Sequence, residues 1–236
     1  MTASLSHTFQ TISNAFQDLF FPPVCHRCEQ IIHQKTDLPI LCEACLNLLQ
    51  PIPVEFTKEA LLENIKPCFI DELWIAYQFN GAAQVCIHAV KYHQMPETGK
   101  RIGRFVSGQF GKEMASFQDK CIVPIPLHPA RKKDRGYNQS EQVAVGMFGE
   151  KNIYRNVLQR RRYTESQTKL SHARRRENVQ NAFEVMDKKF VNGADFVLLD
   201  DVFTTGATMN ECARVLKENG ASTVSGIALA TPLMDD

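Results

Sequence analysis

A chain of 236 residues, 44% of them hydrophobic, can bury one substantial core and a small appendage. A formal net charge of +1 leaves no overall field for holding a nucleic acid or a membrane surface. No run approaches the roughly 20 apolar residues of a membrane span, and Met1 to Phe21 lacks the basic start and unbroken apolar stretch of a signal peptide, so the chain reads as cytoplasmic.

In residues 1–24, Leu5, Phe9, Ile12, Phe16, Leu19 and Phe20 recur at helical spacing and predict an amphipathic helix stopped at Pro22-Pro23. Residues 25–50 carry Cys25-x2-Cys28 and Cys42-x2-Cys45. In a reducing compartment this spacing reads as a four-thiolate Zn2+ module. Two Cys-x-x-Cys turns each aim two sulfurs at one point, and four thiolates leave no open position, which makes such a site structural. Two disulfides, or a thioredoxin-like pair, are the rival readings. Cys68, Cys86, Cys121 and Cys212 stand singly among apolar residues and read as small core residues.

Residues 51–236 read as one α/β domain. A short helix is expected between Glu59 and Ile65, and a strand over Glu72 to Phe79. Helices follow over Ala82 to Tyr92 and Lys100 to Phe117, then a strand over Cys121 to Ile125 and a helix over Asn138 to Phe148. Phe196 to Leu199 is a short, wholly apolar strand that suits the centre of a parallel sheet. A helix over Ala207 to Glu218, closed by Gly220, and a strand over Thr223 to Ala230 complete the alternation. That order predicts a parallel sheet flanked by helices.

The chemistry concentrates where a strand becomes a helix, over 196–208. Asp200 and Asp201 end the strand, and Thr204-Thr205-Gly206-Ala207-Thr208 opens the helix. Small hydroxylated residues and a glycine let backbone N–H groups converge on a phosphate at the helix N-terminus. Two adjacent carboxylates suit ribose hydroxyls instead, with a magnesium ion reached through water as a further option. The segment therefore describes a ribose 5-phosphate site. A helix cap with incidental acids would account for the threonines but not for the whole order. Neither G-x-x-x-x-G-K-[ST] nor G-x-G-x-x-G occurs. Two basic clusters, Arg131 to Arg135 and Arg155 to Arg176, suggest a local anionic ligand, against the plainer reading of a solvated face.

The hydrophobic–acid–acid–hydrophobic–Thr-Thr-Gly-Ala-Thr order resembles the phosphoribosyl pyrophosphate (PRPP) signature of type I phosphoribosyltransferases. Further blocks extend the likeness. These are Tyr77-x3-Gly81 with Lys91-Tyr92, Val123-Pro-Ile-Pro-Leu-His-Pro-Ala-Arg131, Arg135-Gly-Tyr-Asn-Gln-Ser140, and Gln167 with Arg176-x-Asn178. Together they resemble the ComF/ComFC family, in which a zinc finger precedes a phosphoribosyltransferase domain and which is associated with natural competence and DNA uptake. The resemblance implies that Asp200 and Asp201 hold the ribose hydroxyls and Thr204, Thr205, Gly206, Ala207 and Thr208 the 5′-phosphate. It implies a pyrophosphate loop at Leu127 and His128 with Arg131 and Arg135 in reach, and a hood over about 158–178 with Arg162, Gln167 and Arg176. Mg2+ would accompany PRPP.

His128 equally fits a loop histidine with a structural hydrogen bond, and Lys91 equally fits a solvated helix end. Two functions follow from the resemblance. One is phosphoribosyl transfer to an acceptor that the sequence does not identify. The other is a DNA-processing adaptor, with PRPP as regulatory ligand, that contacts single-stranded DNA or a partner such as a helicase. For the latter, Tyr137, Tyr154 and Tyr163 are candidate stacking residues.

Overall fold

Four apolar runs pair in parallel to form the sheet. They are β1 (Glu72–Gln78), β2 (Cys121–Pro124), β5 (Asp195–Val202) and β6 (Thr223–Thr231), in the spatial order β1-β6-β5-β2. The structure is a computed structural model and describes residues 22–33, 36–92, 96–162 and 179–232. The expected helix ahead of Pro22-Pro23, together with Tyr163, Gln167 and Arg176, lies outside these residues. The chain divides into two compact units after Leu48.

Alternation along each strand serves two layers. Leu73, Ile75, Val123, Phe196, Leu198, Val224 and Ala228 face a core shared with Met209, Cys212, Ala213 and Leu216 of helix α7 (Ala207–Glu218). Val197, Leu199 and Ile122 alternate with that set and are fully buried. On the other layer α5 (Gln139–Phe148) packs on β2 and β5, and α2 (Pro96–Gln109) packs along α5. Burial on both faces is why β5 reads as an unbroken apolar run and lies inside the sheet. This is a parallel sheet flanked by helices, as the sequence predicts, and it fits a type I phosphoribosyltransferase-like fold.

The structure differs from expectation in three places here. The helix expected over Lys100 to Phe117 is two helices, α2 and α3 (Gly111–Ala115). Phe110 leaves the helical region (φ −122°, ψ 39°) and sets its ring edge-on to Trp74 and Tyr77, 5.1 and 5.6 Å between centroids. The helix expected at Glu59 to Ile65 begins earlier, as a turn at Val54–Phe56 running into a π-helical stretch, Thr57–Leu62. There the buried Thr57 hydroxyl donates to both Val54 O and Leu73 O. Cys68 is exposed rather than core; the other three single cysteines are buried or half-buried.

An antiparallel pair is formed by β3 (Leu158–Arg160), which lies at the start of the stretch expected to form a hood, and β4 (Phe183–Val185). Short helices α4 (Pro129–Arg135) and α6 (Lys188–Val191) were not predicted, being too short for helical periodicity to register. Helix α1 (Gly81–Tyr92) follows β1.

Candidate functional site

In the first unit the two Cys-x-x-Cys turns are built differently. After Cys25 the chain doubles back: Cys25 N–H donates to Gln30 O, Glu29 N–H donates to Cys25 O, and Glu29 takes φ 61°. Cys42 precedes a helical turn, Glu43–Leu46, in which Leu46 N–H donates to Cys42 O. His26 N–H donates to Ile40 O and joins the two turns. The four sulfurs lie within 4.8 Å of one another, and Cys28 and Cys42 are 3.7 Å apart. A tetrahedron with Zn–S bonds of about 2.3 Å has sulfur–sulfur edges of about 3.8 Å, so the set fits zinc.

Burial works against the Cys25 thiolate, but the backbone N–H groups of Cys42, Cys28 and Arg27 bring that thiol down to about 6. A cation would supply the rest of the compensation that four crowded thiolates require. No disulfide joins the cysteines, and His26 and His33 are not in the cluster.

In the second unit β5 runs past Leu199 through both acids, so the carboxylates stand on the last rungs of the sheet beside Ala228 and Ala230 of β6. Asp200 Oδ1 accepts from the Ser140 hydroxyl (3.1 Å) and from the Asp201 N–H (2.9 Å). Asp201 Oδ2 lies 2.7 Å from Lys91 Nζ, an ion pair off the direction that a hydrogen bond would need. Burial first, and then the charge of Asp201, pushes the Asp200 carboxyl up to about 7. Lys91, which the sequence left between a site residue and a solvated helix end, is thus paired with an acid 110 positions away.

The raised Asp200 pKa has a testable sign. Between the ordinary carboxyl value and about 7 the folded state holds the proton that the unfolded state has released, so stability falls as pH rises through that window. Asp200→Asn should therefore stabilise the ligand-free protein at pH above about 7, by on the order of 2 kcal/mol, and leave it unchanged below about pH 4. Thermal unfolding of both proteins across pH reads this directly; equal pH dependence would refute it.

Beyond the acids the chain turns under Phe203, whose N–H donates to Ala230 O, and reaches Gly206 in the left-handed region at φ 68°. A Cβ there would meet Ile65 Cδ1 at 2.5 Å and Phe203 Cζ at 2.6 Å, so glycine is required by both conformation and space. Thr204, Gly206, Ala207 and Thr208 line, with Asp200, a shallow open cleft at the N-terminus of α7. The first helical N–H groups and the positive end of the dipole suit an anion there. Asn210, one turn on, accepts from Phe69 N–H and donates to Pro67 O, which ties this turn to the segment ahead of β1.

The segment after β2 supplies the neighbours. Leu127 is half-buried. His128 caps α4, its Nδ1 accepting from Ala130 N–H at 3.2 Å, the structural bond weighed against a ligand role. Arg135 donates to Gln139 Oε1, Gly136 ends α4 at φ 79°, and the Tyr137 hydroxyl donates to Val90 O at 2.6 Å. Asn138 donates to Ile125 O and caps α5 by accepting from Ser140 N–H.

The Arg135-to-Ser140 block thus joins α1, β2, α5 and Asp200. From the sequence Arg135 was singled out in it as a pyrophosphate contact and Tyr137 as a stacking candidate. The cap at Asn138 was legible, but the Ser140–Asp200 contact spans 60 positions.

Of the residues expected to form a hood, Arg162 donates to Gln180 O, and the neighbouring Arg161 pairs with Glu184. Arg160, a member of the second basic cluster, is buried in β3 rather than on a solvated face, with its guanidinium over the Phe183 ring at 5.2 Å. Burial lowers its pKa; Cys212 and Asp200 oppose that and Arg131 adds to it, which puts Arg131, Arg160 and Asp200 in one electrostatic neighbourhood.

No family model matches the chain. It is 33% identical to competence protein F of Haemophilus influenzae over 114 residues, 47% of this chain and 50% of that protein. It is 37% identical to the DNA utilization protein YhgH of Escherichia coli O157:H7 over 143 residues, 58% and 62% of the two. With competence protein ComFC of Streptococcus pneumoniae it shares 31% identity over 119 residues, 50% and 51%. The chain is thus similar, over part of its length, to competence and DNA utilization proteins of the ComF type. It spans about half to three fifths of the length of these ComF-type relatives. The four-cysteine cluster fits the zinc finger expected ahead of a ComF-type α/β domain. No helix among the described residues is long and apolar enough to cross a membrane.

Proposed function

We propose that this ComF-type protein binds PRPP and serves DNA uptake or DNA utilization. The observation that carries the ligand is the juxtaposition, around one cleft, of Asp200 at the end of β5 with a glycine-bearing threonine turn at the start of α7, the buried Asp201 standing next to Asp200 in the strand. Asp200 and Asp201 would accept the ribose hydroxyls, and Thr204, Thr205 and Thr208 with the backbone of Gly206 and Ala207 would take the 5′-phosphate. Leu127, His128, Arg131 and Arg135 would flank the diphosphate, where guanidinium forks match phosphate oxygens. The link to DNA rests on the relatives, which are named for competence and DNA utilization.

With an acceptor present, the reaction suited to this site is phosphoribosyl transfer. The bond from the anomeric carbon to the pyrophosphate oxygen breaks, and pyrophosphate leaves with the electron pair. The acceptor's lone pair forms the new bond, and the acceptor sheds its proton to solvent. Positioning and charge stabilisation carry such a step, so no protein nucleophile is called for. Mg2+ brought with PRPP would offset diphosphate charge; the protein's share is to hold ribose and phosphate. Arg162, Gln167 and Arg176 of the hood would close over the site and exclude water.

Calorimetric titration tests the binding. PRPP should bind the wild type, and Asp201→Asn should weaken it by at least about 2 kcal/mol, near thirtyfold, through loss of charged acceptors. An unaltered affinity would refute the assignment, and no signal with wild type would refute the ligand. A second reading, the adaptor, is favoured by Tyr154, which lies exposed and stacks on Phe190 (5.3 Å between centroids) beside Lys188 and Lys189. Salt-sensitive binding of single-stranded DNA, with no acceptor found for PRPP, would select it.

A further inference from the structure

Two carboxylates on consecutive residues repel each other, and both accept from a ribose at full strength only when both are charged. The surrounding elements set how far each charge is compensated. Asp200 receives two dipolar donors, the Ser140 hydroxyl and the Asp201 N–H. Asp201, with a side chain only 9% exposed, receives a full positive charge, Lys91 Nζ at 2.7 Å, from a side chain 23% exposed.

Lys91 does not arrive there as a freely swinging helix-end residue. It lies in the last turn of α1, where the dipole favours a cation. The carbonyl of its neighbour, Val90, is held by the Tyr137 hydroxyl at 2.6 Å. The same Arg135-to-Ser140 segment that clamps Val90 also pins Asn138 to Ile125 O and delivers Ser140 to Asp200. One segment therefore sets both the cationic and the dipolar partner of the acid pair.

We propose that Lys91 is a positioning residue of this site: it holds Asp201 in place and supplies the positive charge that lets two adjacent carboxylates accept the hydroxyls of a ribose 5-phosphate. The inference rests on the ribose reading above and adds to it a residue on a different helix. It makes acceptance of the ribose depend on a cation built into the protein, separate from any ion the ligand brings.

The groups facing the pair define the pH behaviour. Asp201 raises the Asp200 pKa, and Lys91 from α1 and Ser140 from α5 lower it. Arg160 of β3 and Cys212 of α7 interact electrostatically with Asp200 and with each other, Arg131 of α4 acts on Arg160, and Glu211 acts on Cys212. With Asp200 already near 7, loss of Lys91 leaves the pair with one fewer compensating charge, so its second ionisation moves to higher pH.

The experiment is calorimetry of ribose 5-phosphate, and separately of inorganic phosphate, with full-length wild type, Lys91→Met and Lys91→Arg in magnesium-free buffers spanning about pH 6 to 9. In wild type, ribose 5-phosphate affinity should rise through neutrality. In Lys91→Met it should be weaker by about tenfold at neutral pH, with the midpoint of its pH profile moved up by about one unit. Lys91→Arg should restore the wild-type midpoint, and inorganic phosphate should bind all three alike. A Lys91→Met profile superimposable on wild type overturns the inference, as does equal loss of phosphate and ribose 5-phosphate. Wild type that binds inorganic phosphate but not ribose 5-phosphate would instead overturn the ribose reading, and Lys91 with it.

Discussion

Replacing Cys42 by serine should release zinc from the chain and unfold the first unit. The short segment between Pro22 and Leu48 buries few large apolar side chains, chiefly Ile32, Leu38 and Leu41, besides Cys25 and Cys45. Its two turns are tied directly by one backbone hydrogen bond, His26 to Ile40, and by the sulfur cluster. A structural zinc site of four thiolates contributes on the order of 10 kcal/mol near neutral pH, more than such a core supplies. Metal analysis should fall from about one zinc per chain to near none. Amide exchange at Cys25, His26 and Leu46 should become as fast as in an unfolded peptide, while the second unit keeps its own unfolding transition. Cys42→Ser that retained its metal and its slow amides would show that the cluster does not organise the segment. Chelation of the wild-type metal should reproduce the variant.

Gly103→Ala should destabilise the second unit by about 3 kcal/mol or more, a large effect for one added methyl group. A Cβ at Gly103 would lie 2.2 Å from Val143 O and 2.8 Å from Gly146 Cα, and a Cβ at Gly146 would lie 2.2 Å from Lys100 O. The obstructing atoms are backbone, so no rotamer change relieves them and α2 must move away from α5. Gly108 lies on the same helix with nothing within 4 Å of its Cβ position. Gly108→Ala should be neutral, or stabilising by up to about 1 kcal/mol, because alanine favours the helix. Denaturant unfolding of the two variants side by side makes the comparison; similar midpoints would refute the close crossing. Because α5 begins at the Asn138–Ser140 cap, displacing it should also loosen the Ser140–Asp200 bond.

The strands and long helices were legible because their periodicity is local. Phe196 to Leu199 reads as a central strand since a strand buried on both faces has no polar alternation to show. The break at Phe110 was not legible. That residue continues the helical stripe of Ile102, Val106 and Met114, and only the rings of Trp74 and Tyr77, brought in from β1, make departure from the helix favourable. The tight crossing was half visible: Gly99 and Gly103 sit four apart on α2, but their partners Gln142, Val143 and Gly146 belong to a helix some forty positions later.

By itself the sequence determined the four-sulfur module, the parallel α/β order and the acid–acid–threonine–glycine segment at a strand-to-helix junction. Each is set by neighbours in the chain: two-residue gaps between cysteines, alternation along strands, and a glycine that alone tolerates the left-handed turn at 206. The tertiary structure decided which distant groups balance the charge of Asp200 and Asp201. Lys91, Ser140 and Arg160 stand 110, 60 and 40 positions before the acids they influence, on three different elements. Electrostatic compensation depends on distance through space, and no spacing along the chain records it.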